Sequence, residues 1–240
     1  MDAQFIRLVD KAWDRFQKTP EDRRFMIAIG GIPGSGKTTL SQIVTQALNA
    51  RHASLHPELR EAVPIAAFVP MDGYHLTRAQ LSALPDPATA HARRGAEFTF
   101  DGASFLTLVK ALREPLTASS SAIFAPSFDH AVKDPKDNDI PIYPGHRIVV
   151  FEGNYVVLDK DPWREAAGLM DERWFVDVDF DTARRRLVAR HVKAGIARDE
   201  EEARKRADEN DLVNGRQIVE NRTHVHEVVV SRDDEKWKHE

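Results

Sequence analysis

Gly31-Ile32-Pro33-Gly34-Ser35-Gly36-Lys37-Thr38 read G-x-x-x-x-G-K-T, and Thr39 extends the run. Glycines at this spacing let the backbone bend until successive N–H groups point inward, a cradle for phosphate oxygens. Lys37 is placed to reach the outer phosphates, and the Thr38 hydroxyl to hold Mg²⁺. The flanks decide whether such a run is more than a chance glycine turn. Phe25–Gly30 ahead of it is apolar and strand-like, and Thr39–Leu48 behind it has helical character. Strand, glycine loop, helix is the context the motif needs. The helix adds its free N–H groups and the positive end of its dipole. Gly31, Pro33, Gly34, Ser35, Gly36, Lys37, Thr38 and Thr39 are therefore expected to bind a nucleoside triphosphate.

Moving a phosphoryl group also needs a metal clamp, cations for the transferring charge and a group that positions the acceptor. Asp72 ends an apolar run and precedes Gly73-Tyr74-His75. Glu152 ends Arg147-Ile-Val-Val-Phe151 and precedes Gly153. Either acid can bind Mg²⁺ directly or through water, and one can accept a proton from a hydroxyl. Each alone reads equally as a turn or cap residue; together with the glycine loop they read as a site. Arg186 and Arg190 stand four apart on a helical stretch, on one face, with guanidinium forks suited to phosphate. Arg204-Lys205-Arg206 reads as an ordinary solvated basic patch.

Elements must bring these residues together. Strand-like runs occupy 25–30, 65–70, 122–125, 147–151, 174–178 and 227–230. Helix-like runs occupy 37–50, 102–113, 162–170, 181–194 and 199–213. Their alternation predicts an α/β fold with a parallel sheet covered on both faces, and ligands at the carboxyl ends of the strands. Residues 84–91 and 128–146 read as proline-punctuated loops, the longer one a candidate cover for a substrate. Phe5, Leu8, Val9, Ala12, Trp13 and Phe16 recur at helical spacing, an amphipathic helix for packing on the domain. No domain boundary is evident. The whole chain is read as one domain, residues 1–20 as its N-terminal helix and about 181–222 as a lid.

The 240 residues suffice for one large α/β domain, and the net charge of −4 gives no electrostatic case for nucleic acid as the main partner. The absence of cysteine excludes a disulfide framework, a thiolate metal site and a cysteine nucleophile. No apolar run approaches a membrane span, and the N-terminus resembles neither a signal nor a transit peptide. A cytoplasmic protein is expected. Oligomeric state is left open, a homodimer included.

Gly31–Thr39, Asp72-Gly-Tyr-His75, Phe151-Glu-Gly153 and Val176–Thr182 leading into the arginine helix together resemble the uridine kinase, pantothenate kinase and phosphoribulokinase group of P-loop kinases. The resemblance runs from about Phe25 to Val230. It implies a three-layer α/β/α P-loop NTPase fold, a mainly parallel five-stranded sheet and a helical lid. It implies Asp72 as base, Glu152 as a Mg²⁺ holder, and Arg186 and Arg190 as contacts of the transferring phosphate. Met71–Leu76, Arg93–Glu97, Val150–Tyr155, Asp161–Trp163 and Asn210–Asn214 are further similar to bacterial nucleoside or fructose-transport-system kinases and to a fungal P-loop ATPase or kinase group.

The acceptor side offers Tyr74, His75, Arg93, Arg94, Glu97, Asp129, His130 and Asn154. Arg94 either binds an anionic group of the acceptor or pairs with Glu97. Asp129 and His130 either orient a hydroxyl or diol, or form a turn. Tyr74 packs under the substrate or fills core. Asn210 and Asn214 belong to the lid or to a helix face polar by default. The uridine-reading Tyr-Asp pair of the kinase group stands here as Phe128-Asp129, without the hydroxyl. The expectation is an ATP- and Mg²⁺-dependent kinase acting on a hydroxyl of a nucleoside, vitamin or sugar-like small molecule. The rival is an ATPase acting on a protein partner.

Overall fold

The computed structural model describes residues 2–59, 63–129 and 131–232. In chain order the elements are α1 (Asp2–Phe16), β1 (Phe25–Gly31), α2 (Lys37–Leu55), β2 (Ala66–Pro70), α3 (Arg78–Ser82), α4 (Pro87–Ala92), α5 (Gly102–Arg113), β3 (Ile123–Asp129), β4 (Asp134–Ile142), β5 (Ile148–Gly153), α6 (Trp163–Gly168), β6 (Glu172–Asp177), α7 (Phe180–Lys193), α8 (Glu200–Arg206), α9 (Leu212–Glu220) and β7 (Glu227–Val230). A π turn, Ala207–Asp211, joins α8 to α9.

Five strands form a wholly parallel sheet in the order β2-β5-β1-β6-β7. Every residue of β1 and β5 is buried, as expected of central strands covered on both faces. One face packs on a cluster that includes Phe105, Phe151, Tyr155 and Trp163. The other packs on α1 and α2 through Leu8, Trp13, Leu40, Val44 and Trp174. Each such fully buried large side chain stabilises the fold by about 1.5–3 kcal/mol.

The amphipathic reading of α1 holds: Leu8, Ala12 and Trp13 are buried against the sheet. Its polar edge grips the wholly buried carboxylate of Glu172, which accepts from Lys11 at 3.2 Å, from Arg15, and from Trp174 Nε1 at 2.8 Å. A buried charge is tolerable only when paired in this way.

Two loop expectations are corrected. Residues 128–146 contain β4, which pairs antiparallel with β3 as a hairpin outside the main sheet, with a bulge between Ala125 and Ser127. The strand expected at 122–125 is therefore the start of this hairpin. β4 carries exposed Lys136, Asp137, Asn138 and Asp139, so no apolar alternation announces it. Residues 84–91 hold most of α4, started by Pro87 at its first turn and capped by Asp86, whose side chain accepts from Thr89 N at 3.1 Å. The single helix expected over 199–213 is three pieces, α8, the π turn and α9.

Candidate functional site

Register gathers the site. Gly30 pairs with Gly153, and Pro70 with Glu152, so β1, β5 and β2 end side by side. The glycine loop leaves β1, Glu152 sits at the end of β5, and Asp72 lies in the 3₁₀ turn Met71–Tyr74 that follows β2.

The loop is shaped by two left-handed glycines, Gly34 at φ 81° and Gly36 at φ 86°. A Cβ on Gly34 would also stand 2.8 Å from the carbonyl of Ala183, so α7 packs directly on the loop. Gly36 starts α2 without a side-chain cap, and the first turn carries no acid. The orphan N–H groups there are open to an anion.

Lys37 is 9% exposed, and its Nζ lies 3.4 Å from Ile32 O. Burial pushes its pKa down, while Glu152 opposes that shift; Asp72, Asp211 and Arg190 act more weakly. Glu152 is 6% exposed and accepts from Thr38 Oγ1 at 3.1 Å. Burial raises its carboxyl to about 7, with Lys37 pulling the other way and Asp72 adding to the rise. Asp72 is exposed, and no hydrogen bond from the described residues reaches its carboxylate. Lys37, Glu152 and Asp72 thus share one field at the mouth of the loop, to which Arg190 and Asp211 also contribute.

The lid arginines divide. Arg186 donates to Gly34 O at 3.1 Å and to Ser231 Oγ at 2.9 Å, so its guanidinium holds the loop from above. Arg190 is exposed, and its charge is felt by both Lys37 and Glu152. The next residue, His191, is buried and bonds through Nε2 to Asp211 Oδ2 at 2.8 Å, tying α7 to the π turn. The sequence reading singled out neither His191 nor Asp211. Their pairing spans a chain reversal, and no local spacing reveals it.

On the acceptor side, His75 Nδ1 lies 2.8 Å from Asp72 O, and its ring sits between Phe100 at 4.0 Å and Phe128 at 4.9 Å. Tyr74 is core, edge-on to Phe105 at 5.3 Å. Asn154 follows β5, and its buried Oδ1 has no partner among the described residues. Asp129 takes the turn role, accepting from Ala131 N at 2.8 Å and Val132 N at 3.0 Å. His130 lies outside the described residues. A cavity of about 510 Å³ opens against Gly73, Tyr74 and His75, with Asp101 and the hairpin on its other walls.

Arg94 does not pair with Glu97. It donates to Asp134 at 3.0 Å, to Leu76 O at 3.1 Å and to Lys133 O at 2.6 Å, and it lies over the Phe128 ring at 5.5 Å. Glu97 instead accepts from Lys160 and from Trp163 Nε1 at 3.0 Å. Gly95, at φ 104°, breaks the helical geometry that an i,i+3 pair requires. Asn210 and Asn214 are buried partners of Arg93.

The donors around Thr38 and Glu152 are all oxygen, as a hard divalent cation requires. The described residues hold no group of three acidic, His or Cys side chains suited to a metal. They fit an ion that arrives with the triphosphate and takes Thr38 and a carboxylate as the protein's share. Among the described residues no helix is long and apolar enough to cross a membrane.

A family model described as the phosphoribulokinase / uridine kinase family matches residues 26–201. An Aspergillus versicolor protein named ATP-dependent kinase-like protein notR' is 58% identical over 159 residues, covering 66% of this chain and 92% of that protein. A Schizosaccharomyces pombe protein, provisionally named uridine kinase C227.14, is 38% identical over 215 residues, covering 89% of this chain and 86% of that protein. Among solved structures, a Silicibacter sp. TM1040 protein provisionally named a fructose transport system kinase is similar with a TM-score of 0.76 and 30% identity. That match covers 92% of this chain and 98% of the other.

Proposed function

The chain belongs to the phosphoribulokinase / uridine kinase family, and from that premise we propose that it transfers the γ-phosphoryl group of ATP, with Mg²⁺, to a hydroxyl of a nucleoside, vitamin or sugar-like small molecule. One observation carries this reading: Lys37, Glu152 and Asp72 converge at the ends of three adjacent strands, in the order β1, β5, β2. A nucleotide-binding loop needs only the first of these. An exposed carboxylate beside the loop supplies what an acceptor hydroxyl needs.

In the proposed step the hydroxyl oxygen bonds to the γ-phosphorus as the bond from that phosphorus to the β-bridging oxygen breaks. ADP leaves with the electron pair, and the hydroxyl proton passes to Asp72. Lys37 and Arg190 offset the charge on the transferring group, and the loop N–H groups hold the β-phosphate. Mg²⁺, bound with the triphosphate and held by Thr38 and Glu152, would supply further charge neutralisation. Arg186 keeps the loop in shape. His75 fixes the turn that presents Asp72.

The test is ADP production from Mg-ATP across a panel of nucleosides, vitamins, sugars and sugar phosphates, with Asp72→Asn as control. The expected result is stimulation by one compound class, reduced about 10²- to 10⁴-fold in Asp72→Asn. ADP release indifferent to every compound would replace this reading with an ATPase acting on a protein partner.

A further inference from the structure

Arg93 and Arg94 are neighbours in sequence, yet they grip opposite parts of the molecule. Arg93 donates through Nε to Asn210 Oδ1 at 2.9 Å and through Nη2 to Asn214 Oδ1 at 2.7 Å. Asn210 returns a bond, Nδ2 to Arg94 O at 3.1 Å. Both asparagines are buried, at 4% and 1% exposure, so their ends of these half-buried bonds are shielded from water. Arg94 reaches the other way, to Asp134 and Lys133 O on the hairpin and to Leu76 O just beyond the Asp72 turn. Beneath the pair, Tyr155 OH donates to Gly95 O at 2.8 Å, pinning the segment to the chain that leaves β5.

The lid side of this joint is no plain helix. Asn210 lies in the π turn and Asn214 in the first turn of α9. Both amides therefore meet one guanidinium, while Asp211 of the same turn holds His191 beside Arg190. π turns inside helices recur where side chains must be aimed for a purpose. A continuous chain of buried or half-buried polar contacts thus runs from the hairpin through Arg94, Arg93 and the π turn to α7.

We propose that Arg93 is a positioning residue that couples the lid to the acceptor wall, so that nucleotide binding under the lid is transmitted to the β3–β4 hairpin. This rests on the assignment above of the loop as the nucleotide side and of Asp72 with the hairpin as the acceptor side. Arg93 touches neither the loop nor Asp72 and acts only through what it joins.

Hydrogen exchange of the full chain tests the coupling without an acceptor, using Mg²⁺ with a non-hydrolysable ATP analogue as probe. In the wild type the probe is expected to slow exchange in residues 31–39, in 199–220 and also in 123–142. Arg93→Met keeps the stem but removes the donors. Its lid amides are expected to exchange about 10- to 100-fold faster without probe. Its residues 31–39 remain protected by the probe, and its hairpin response disappears. Asn214→Asp, which keeps an oxygen opposite Arg93, should retain the hairpin response, and Asn214→Leu should lose it. The asparagine pair decides the matter if Arg93→Met does not fold. A wild-type hairpin indifferent to the probe, or an unchanged hairpin response in Arg93→Met or in Asn214→Leu, overturns the proposal while leaving the kinase reading intact. No protection of residues 31–39 in the wild type overturns both.

Discussion

The ring of His75 turns back on its own chain, its Nδ1 2.8 Å from the carbonyl oxygen of Asp72. A carbonyl can only accept, so Nδ1 carries the proton in this contact. Packed at a tilt against Phe100 and Phe128, the ring clamps the turn from which the Asp72 carboxylate projects. His75→Ala should leave ATP binding unchanged and lower acceptor-stimulated ADP production by about 10- to 100-fold, the usual cost of a misplaced catalytic group. Equal losses in ATP affinity and turnover would show that His75 only supports the fold.

The raised pKa of Glu152, about 7, makes stability depend on pH in a definite direction. The folded carboxyl keeps a proton that the unfolded chain releases in the ordinary carboxylate range. Folded protein therefore binds more protons across the window from that range up to about 7, and stability falls as pH rises through it. Thermal melts without nucleotide should show wild type losing more stability than Glu152→Gln between about pH 5 and about pH 8. Parallel curves for the two proteins would count against the buried carboxyl.

Arg190 and Arg186 should fail differently. Arg190 is exposed beside Lys37 and Glu152, so Arg190→Ala should spare the melting temperature and cut turnover by about 10²- to 10³-fold. Arg186→Ala removes the bonds to Gly34 and Ser231 and should weaken ATP binding measured by calorimetry. Interchanged phenotypes would reverse the division of labour.

Gly73 is required by contact rather than by backbone angle. A Cβ there would stand 2.1 Å from the carbonyl oxygen of Pro126 and 2.6 Å from its carbon. Both are hairpin backbone, which cannot swing aside as a side chain can. Gly73→Ala should cost about 1–3 kcal/mol in chemical denaturation, in the range of overpacking, and should displace the hairpin from the Asp72 turn. A variant of wild-type stability would mean that the hairpin is free to shift.

The parts of this molecule that were legible in the sequence are those written in local pattern. Helix α5 falls on its expected bounds, Gly102–Arg113, because Asp101 caps it and apolar residues recur along one face. The glycine loop, β1 and the strand-end acids are signalled by short motifs on buried strands. The hairpin was hidden because β4 is polar, holds Asn138 in a left-handed conformation and contains two prolines, Pro135 and Pro141. The partners of the arginine pair were hidden by distance. Arg94 bypasses Glu97, three residues on, for Asp134, and Arg93 finds Asn210 and Asn214 more than a hundred residues away. Local spacing proposes partners, and only the fold selects among them.

The π turn Ala207–Asp211 makes chain length in the lid a chemical variable. A π turn closes five residues on where an α turn closes four, so it takes up one extra residue while the helix on either side keeps its facing. Deleting one residue there would leave α9 facing as it does, with Asn214 still toward Arg93. The widened turn that aims Asn210 at Arg93 and Asp211 at His191 would close, and those two contacts would go with it. A relative lacking one residue in this stretch would keep its motifs and lose the joint between lid and acceptor wall.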